Sequence, residues 1–407
     1  MSNDKGSWRS TVAVWAAIAL SIACLAAATF SAASGGLRYG GKERWQVLAP
    51  VHYQNLHIFP IIWLPGLAAP DVSDYITLDE GLKQGTVEVT EVGAPGQIIR
   101  NRPPSGGVMG HFQNGVEQVA ANPPAQGRAE PVQQRQTVGQ TGAQVNRLFV
   151  TNKSGKKLIL LAGELVVGGK QDRIVQKDTL VPPGQKPFDL SVFCVEQGRW
   201  HGDNVAFGAA QNAAVAGGLG AVADPSVRGA AQAERKQEVV WARVGEKNAQ
   251  AGAAPPSGTY LGTLQSDKAQ KDAKPYFDAI QPRMPRNAVG AVIAIHGRLV
   301  WVDAFAHPDL FQRYWPKLLQ SYIVEALTSP PPREPADERI PRVLRSPPTI
   351  AEAAKFLFDR SGRETFEGEA GVYRLTRIDG QQHVMFELHD LDPKDPVRVH
   401  FNKMKKR

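Results

Sequence analysis

The sequence contains very little cysteine. Only Cys24 and Cys194 occur among its 407 residues, and Cys24 lies in an apolar stretch near the amino terminus. If that stretch is removed or embedded in a membrane, Cys194 remains alone. A set of disulfides within one mature chain is therefore excluded.

The sequence also lacks the short motifs of common chemistries. It has no phosphate-binding loop, dinucleotide fingerprint, zinc-ligand spacing or nucleophile elbow. The cofactor therefore stays unknown, and no metal site is predicted. His383, Glu387 and His389 share one face of a predicted strand, but a solvated polar face explains this spacing better than a metal does.

Positive charge is spread thinly along the chain. The formal net charge is +8, and only the tail formed by Lys403, Lys405, Lys406 and Arg407 is a basic cluster. No helical basic patch or aromatic platform accompanies it, so nucleic acid is disfavoured as a partner. An anionic small molecule or polymer fits the charge balance.

Residues 1–33 are predicted to direct export. Lys5 and Arg9 precede an uncharged apolar run from Thr11 to Phe30, which small residues follow. The segment is either a cleaved signal peptide or an anchor in the inner membrane, because about 20 apolar residues suffice to span a bilayer. Both alternatives place the remainder outside the cytoplasm, in the periplasm or secreted, and the membrane is a partner only if the segment stays uncleaved.

Composition divides the rest of the chain. Bulky apolar residues are scarce in one Pro-, Gly- and Gln-rich stretch, which therefore cannot offset its ordering entropy. The predicted units are a main domain (45–327) with a disordered insertion (94–144) and an Ala/Gly-rich and helical connection (205–257), a Pro-rich linker (328–348) and a small α/β appendage (349–407).

The predicted fold class is α+β. Successive hairpins around the turns at 152–156 and 182–184 indicate an antiparallel β-rich sandwich or open barrel. A strand-helix unit follows, with two apolar strands about His296 and a helix that begins at Pro308. Asp303, near the start of this helix, is expected to cap it. A small C-terminal hairpin module completes the prediction.

Several segments resemble the ADP-ribosylglycohydrolase and rhodanese-phosphatase associated domain family. They include AGELVVGGKQDR (162–173), CVEQGRW (194–200), QEVVW (237–241) and GAVIAIHGRLVWVDAF (290–305), and the resemblance covers roughly residues 56–327. The family is named for its association with ADP-ribose hydrolases and phosphatases, so the resemblance implies no settled reaction. The family pattern has Asn where this chain has Asp172.

The densest polar constellation lies between residues 164 and 201. Arg forks bind phosphate or carboxylate groups, and a Glu can act as general acid or base. The candidate catalytic residues are Glu196, Glu164 and Asp172, and the candidate ligand-binding residues are Gln171, Arg173, Arg199, Trp200 and His201. The alternative is a structural ion-pair network that closes the sheet.

Cys194 is expected to be a small buried side chain rather than a nucleophile. Glu196 lies two residues further along the same strand, and a carboxylate on the same face raises the pKa of a thiol.

These observations predict an exported domain that binds an anionic ligand through the Arg/Glu cluster. The alternative is a hydrolase that acts on ADP-ribose-like or phosphoester substrates with a Glu as general acid or base. Whether the protein is an enzyme is left open.

Overall fold

The computed structural model describes residues 45–64, 69–92, 146–198, 206–209, 221–253, 255–330, 346–369, 371–391 and 396–406. The predicted export segment, most of the predicted linker and the insertion at 94–144 lie outside these residues. Arg199, Trp200 and His201 also lie outside them.

The described residues form strands and helices in a mixed order. The strands are β1 (Trp45–Val47), β2 (Val51–Tyr53), β3 (Leu56–Trp63), β4 (Tyr75–Thr77), β5 (Val87–Glu91), β6 (Arg147–Asn152), β7 (Lys157–Leu160), β8 (Leu165–Gly168), β9 (Arg173–Val175), β10 (Thr179–Val181), β11 (Gly184–Cys194), β12 (Ala206–Ala209), β13 (Ala288–Ile295), β14 (Arg298–Phe305), β15 (Arg363–Glu369), β16 (Tyr373–Asp379), β17 (His383–Asp390) and β18 (Val397–Lys405). The α-helices are α1 (Leu78–Lys83), α2 (Pro225–Gly229), α3 (Gln237–Gln250), α4 (Tyr260–Gln265), α5 (Asp267–Ile280), α6 (Pro308–Thr328) and α7 (Ile350–Phe358). A π-helical turn (Ala230–Glu234) continues α2.

The largest sheet has nine strands. Its order is β1-β3-β13-β14-β18-β17-β16-β15, with β2 beside β3, and its neighbouring strands are antiparallel. Strands β15 to β18 belong to the segment predicted as an appendage. They join the sheet where Asp303 on β14 faces Asn402 on β18. This segment has too little apolar mass to fold alone, and pairing with β14 gives it a buried partner.

A second β unit is the barrel β11-β6-β5-β12-β8-β9. It closes because β12 pairs with both β5 and β8, and its interior carries the apolar side chains of Val89, Val150 and Val192. A small sheet, β10-β7-β4, stands beside it and contains the parallel pair β4 and β7. The predicted α+β class, with curled antiparallel sheets and C-terminal hairpin strands, is confirmed.

Helices cover the nine-stranded sheet on both faces. Helix α6 lies against β13, β3 and β14, and buries a stripe that includes Tyr314, Leu318 and Tyr322. Helix α7 covers the opposite face, where Val302 and Phe401 form part of a separate core with it. The helical spacing of the apolar residues after Pro308 therefore predicts the buried face correctly.

Strands β13 and β14 approach each other closely at Gly290. A Cβ at this position would lie 2.3 Å from the carbonyl oxygen of Asp303 and 2.7 Å from the Cα of Ala304. Such distances exclude any side chain unless the two strands separate.

Gly290→Ala is expected to lower the free energy of unfolding by about 1–3 kcal/mol, because overpacking forces the backbone to shift. The control is Gly245→Ala, which lies on the exposed side of α3 with no atom within 4 Å of the new Cβ. It is expected to raise stability by up to about 1 kcal/mol. Urea unfolding measures both changes. A Gly290→Ala protein as stable as the unsubstituted one would show that the strands separate at no cost.

Candidate functional site

Four of the predicted site residues meet at one end of the barrel. Gln171, Asp172 and Arg173 precede or begin β9, and Glu196 follows β11. Arg173 faces Cys194 on β11 and Val166 on β8. Because Val166 belongs to the barrel core, Arg173 and Cys194 point towards the barrel interior.

The Cys194 thiol is enclosed by polar partners. Its Sγ lies 2.6 Å from Oε1 of Gln171 and 3.4 Å from Nη1 of Arg173. Burial raises the pKa of the Cys194 thiol, and Arg173 offsets this only in part. The thiol therefore stays protonated at neutral pH and donates to Gln171, which fits the expected structural role.

The backbone of Cys194 is held by α3. Its N–H donates to Oε1 of Gln237 at 2.9 Å, and its carbonyl accepts from Nε2 of Gln237 at 2.8 Å. This pairing explains why the segments CVEQGRW and QEVVW occur together in the resemblance.

Asp172 and Glu196 are buried and form hydrogen bonds within the cluster, so neither carboxylate faces an open cleft. The N–H of Asp172 donates to Oε2 of Glu196 at 3.1 Å, and Nε2 of Gln171 donates to the Glu196 carbonyl at 2.8 Å. The Oδ2 atom of Asp172 accepts from the Thr259 hydroxyl at 2.8 Å. The other oxygen, Oδ1, accepts from the Gly168 N–H at 3.2 Å. An Asn at 172 has a single accepting oxygen, so it could keep both contacts only if its NH2 group donated to the Thr259 hydroxyl. The departure from the family pattern therefore changes both the charge and the direction of one hydrogen bond.

Glu91 is a member of this cluster that the sequence analysis missed. Its Oε1 lies 3.8 Å from Nη2 of Arg173 and accepts from the Lys170 N–H at 3.0 Å. Arg173 is 0% and Glu91 1% exposed. Glu91 stands on β5, before the long insertion, so only strand pairing through the barrel brings it to Arg173.

Glu164 belongs to a different cluster. Its Oε1 lies 2.5 Å from Nζ of Lys317 on α6, and its Oε2 accepts from the Leu161 N–H at 2.7 Å. The same ammonium contacts Asp79 at 2.7 Å. Burial raises the pKa of Glu164, and Lys317 opposes the rise. The structure therefore does not bring Glu164 together with Glu196.

A third cluster is fully buried between the barrel and the nine-stranded sheet. Arg228 on α2 forms two ion-pair contacts with Asp303, at 2.8 and 3.0 Å. His400 on β18 lies between two carboxylates, 2.7 Å from Asp178 and 3.2 Å from Asp303. The expectation that Asp303 caps α6 is wrong, because His307 accepts from the Asp309 N–H instead.

The carboxylates control the charge of His400. Burial alone would lower the pKa of His400, but Asp178 and Asp303 outweigh it and raise this pKa to about 9. Burial would likewise raise the pKa of Asp303, but Arg228 and His400 hold it well below its ordinary range. Both groups are therefore charged at neutral pH.

A fourth cluster joins α2, α3 and α6. Lys247 lies 3.5 Å from Asp224 and 3.2 Å from Glu325, so its ammonium group forms ion pairs with two carboxylates. The Ser226 hydroxyl donates to Glu325 at 2.6 Å, and Tyr260 donates to Asp224 at 2.8 Å. Burial raises the pKa of Asp224 to about 7, against the effect of Lys247.

The fourth cluster borders a groove between α2 and the edge of the nine-stranded sheet. The cavity has a volume of about 890 Å³, which is within the usual range for ligand sites. One wall is α2 with its π-helical turn, an element often found at functional sites. The other wall is formed by the ends of β13, β14, β17 and β18. We call this cavity the basic groove.

The lining of the basic groove carries more cations than carboxylates. The cations are Arg243, Arg298, Arg377, Lys405 and Lys406, and the carboxylates are Glu234, Glu325 and Asp379.

Several of these charges have partners. Asp379 pairs with Arg377 at 2.6 Å and lies 3.5 Å from Lys406, and Arg243 pairs with Glu246 at 2.9 Å. Among the residues that the structure describes, no ion pair is found for Arg298 or Lys405, and both are exposed.

A second, polar cavity of about 530 Å³ lies beside the start of α6. Its cation Arg313 is engaged by Glu80, with Nε donating to Oε1 at 2.8 Å, and also donates to the Tyr75 carbonyl. The other cation of its lining, Lys156, donates to the Ser73 carbonyl at 2.8 Å. Because both cations are engaged, this cavity is a weaker candidate for an anionic ligand than the basic groove.

Comparison with known proteins supports the resemblance. Residues 44–399 match the ARPP-1 domain, the ARG and Rhodanese-Phosphatase-superfamily-associated Protein domain. The chain belongs to this family. The match extends past residue 327 into β18, so the C-terminal strands are part of the ARPP-1 domain. Comparison with curated proteins and with solved structures finds no match for the chain.

The described part of the ARPP-1 domain contains no group of three or more His, Cys, Asp or Glu side chains placed to hold a metal ion. The face of β17 that was expected to be solvated is mostly buried, because β17 is paired on both sides and Arg398 lies 3.0 Å from Glu387. No described helix is long and apolar enough to cross a membrane.

Arg173→Met is expected to lower the free energy of unfolding by about 3 kcal/mol or more, because it leaves the buried Glu91 carboxylate uncompensated. The double variant Arg173→Met/Glu91→Leu removes that charge and is expected to recover part of the loss. Urea unfolding of both variants provides the measurement. An Arg173→Met protein that keeps full stability would contradict the structural role and favour a role in binding.

The raised pKa of His400 predicts that the free energy of unfolding falls at alkaline pH. Its pKa of about 9 in the folded protein exceeds its ordinary value of 6.5, so the folded state holds the proton more tightly. The contribution is fully present below pH 6.5 and is lost as pH rises through 9.

Thermal unfolding from pH 6 to 10 should therefore show a smaller pH dependence for His400→Gln than for the unsubstituted protein. Asp224 and Lys403 also titrate near this range, but they are unchanged in both proteins and cancel in the comparison. Parallel curves for His400→Gln and the unsubstituted protein would contradict the prediction.

Proposed function

We propose that this ARPP-1 domain binds an anionic ligand in the basic groove. The observation that carries the proposal is the pair of exposed cations, Arg298 and Lys405, at the mouth of a cavity of ligand size. Lys405 follows Met404, which faces Trp301, and Arg298 begins β14. Both cations therefore stand at the same end of adjacent strands. Neighbouring residues on a strand point to opposite faces, so Lys405 leaves the sheet on the face opposite Met404 and lines the groove from the strand end, where it can share an anion with Arg298.

The choice of this groove rests on accessibility. Arg173, which the sequence analysis assigned to ligand binding, is fully buried and already contacts Cys194 and Glu91. The role predicted for Arg199, Trp200 and His201 stays a prediction, since these residues lie outside the described part of the chain. Exposed cations bind an anion without first losing an internal partner.

The charge-reversal variant Arg298→Glu/Lys405→Glu tests the proposal. Its affinity for inorganic phosphate and for ADP-ribose should fall on the order of tenfold or more, because two attractions become repulsions. The matched control is Lys271→Glu/Lys355→Glu, which makes the same change of net charge at exposed helix positions outside the groove. Isothermal calorimetry at low and at physiological ionic strength measures both.

Glu234 provides a gain-of-binding test. It is exposed on the wall opposite the two cations and repels an anion in the groove. Glu234→Gln should therefore tighten phosphate binding by about two- to threefold. Equal phosphate affinities of the unsubstituted protein, the two charge-reversal variants and Glu234→Gln would contradict the proposal. Release of products from ADP-ribose would instead favour the hydrolase alternative, and its loss in Glu196→Gln or Glu164→Gln would identify the carboxylate responsible.

A further inference from the structure

Behind its charged rim, the basic groove is apolar. Besides its charged side chains, the helical wall presents Pro225, Gly229, Ala230 and Ala233, together with Ser226, whose hydroxyl donates to the buried Glu325. The opposite wall presents Val300, with Ile295, Trp301 and Met404 behind it. Val300 and Ala233 are only partly buried, so each offers apolar surface to a ligand.

The bottom of the groove is set by Gly229. A Cβ on this residue would lie 3.4 Å from Sδ of Met404 and 4.0 Å from the Trp301 ring. Because glycine has no Cβ, Gly229 leaves room for a methyl group between the helix and the sheet at this point. Met404 is flexible and polarisable, so this end can adapt to apolar groups of different shape.

The charge count limits the anionic part of the ligand. Arg377 and Lys406 share the single carboxylate of Asp379, and Arg243 pairs with Glu246, so two of these three positive charges are offset. Arg298 and Lys405 remain to receive an anion. Two cations match one phosphate or one carboxylate, whereas a polyanion would meet Glu234 on the opposite wall.

We propose that the basic groove binds a small amphiphilic anion. Its single phosphate or carboxylate group contacts Arg298 and Lys405, and its apolar chain or ring lies between Val300 and Ala233 and points towards Gly229. This inference rests on the proposed function and names the chemical class of its ligand.

A series of alkyl phosphates from ethyl to hexyl phosphate tests the inference on the full-length protein. Each methylene that becomes fully buried should tighten binding by about fourfold. Gly229→Leu should abolish this dependence on chain length, because its side chain occupies the apolar end while Arg298 and Lys405 are unchanged. The helix tolerates this change, since Gly229 has helical backbone angles and Leu favours a helix more than Gly does. The flexible Met404 side chain, 3.4 Å from the new Cβ, has to move aside to make room for the rest of the Leu side chain.

Val300→Thr is the second variant, in case Gly229→Leu is unstable. It keeps the shape of the side chain but places a hydroxyl on the apolar wall, so hexyl phosphate should bind several-fold more weakly while inorganic phosphate binds as before. Equal affinities of ethyl and hexyl phosphate, with phosphate binding still dependent on Arg298 and Lys405, would overturn the ligand class and leave the proposed function intact. Phosphate binding that does not depend on Arg298 and Lys405 would overturn both the ligand class and the proposed function.

The amphiphile could be free in solution or part of a lipid layer. Vesicles of phosphatidylcholine with and without phosphatidic acid distinguish these sources. Competition by acidic vesicles against hexyl phosphate, lost in Gly229→Leu, would identify a lipid ligand. Tight binding of hexyl phosphate without competition would identify a free one, and either result supports the inference.

Discussion

The buried ion pair between Arg228 and Asp303 is the contact on which the arrangement of this domain depends. Arg228 comes from α2 and Asp303 from the centre of the nine-stranded sheet, and both are 0% exposed. His400 extends the network to Asp178, at the barrel. An uncompensated charge at such depth costs several kcal/mol, so the helix, the sheet and the barrel must dock together before any of these charges is satisfied.

Residues 162–164 (AGE), which belong to the segments that resemble the family, connect the barrel to this network. The Ala162 N–H donates to Asp178 at 2.8 Å, and its carbonyl accepts from Nε of Arg228 at 3.0 Å. Gly163 has a φ of +83°, and a Cβ there would lie 2.3 Å from Cγ of Arg228. Glu164 then binds Lys317 on α6. A segment that reads as a simple turn is therefore the junction of three units, which gives a physical reason for its place among the family markers.

Local patterns predicted the local structure well. Hairpin chemistry and apolar periodicity predicted the strands around His296 and the helix from Pro308. These features depend on residues within about one hairpin of each other.

The sequence analysis missed contacts between polar residues that are distant in the sequence. Glu91 reaches Arg173 only through barrel closure, and His400 reaches Asp303 only because β18 pairs with β14. One sequence contains no signal for such pairings, so a polar residue on an alternating strand looks solvated whether or not a neighbouring strand buries it. His383 and Glu387 illustrate this ambiguity, since both are buried beside strands that composition alone had assigned to an appendage.

The ion-pair network and the basic groove meet at Trp301. The indole N–H of Trp301 donates to Asp303 at 2.8 Å, the Arg228 guanidinium lies 4.6 Å from the ring centre, and the same residue lines the groove. The contacts that fix α2 against the sheet therefore also fix the distance between the groove walls. A ligand that touches both walls is bound only when α2 is docked, so its binding free energy adds to the stability of that docking. By the same linkage, any substitution that weakens the ion pair between Arg228 and Asp303 should also weaken ligand binding in the groove, even where the substituted residue does not contact the ligand.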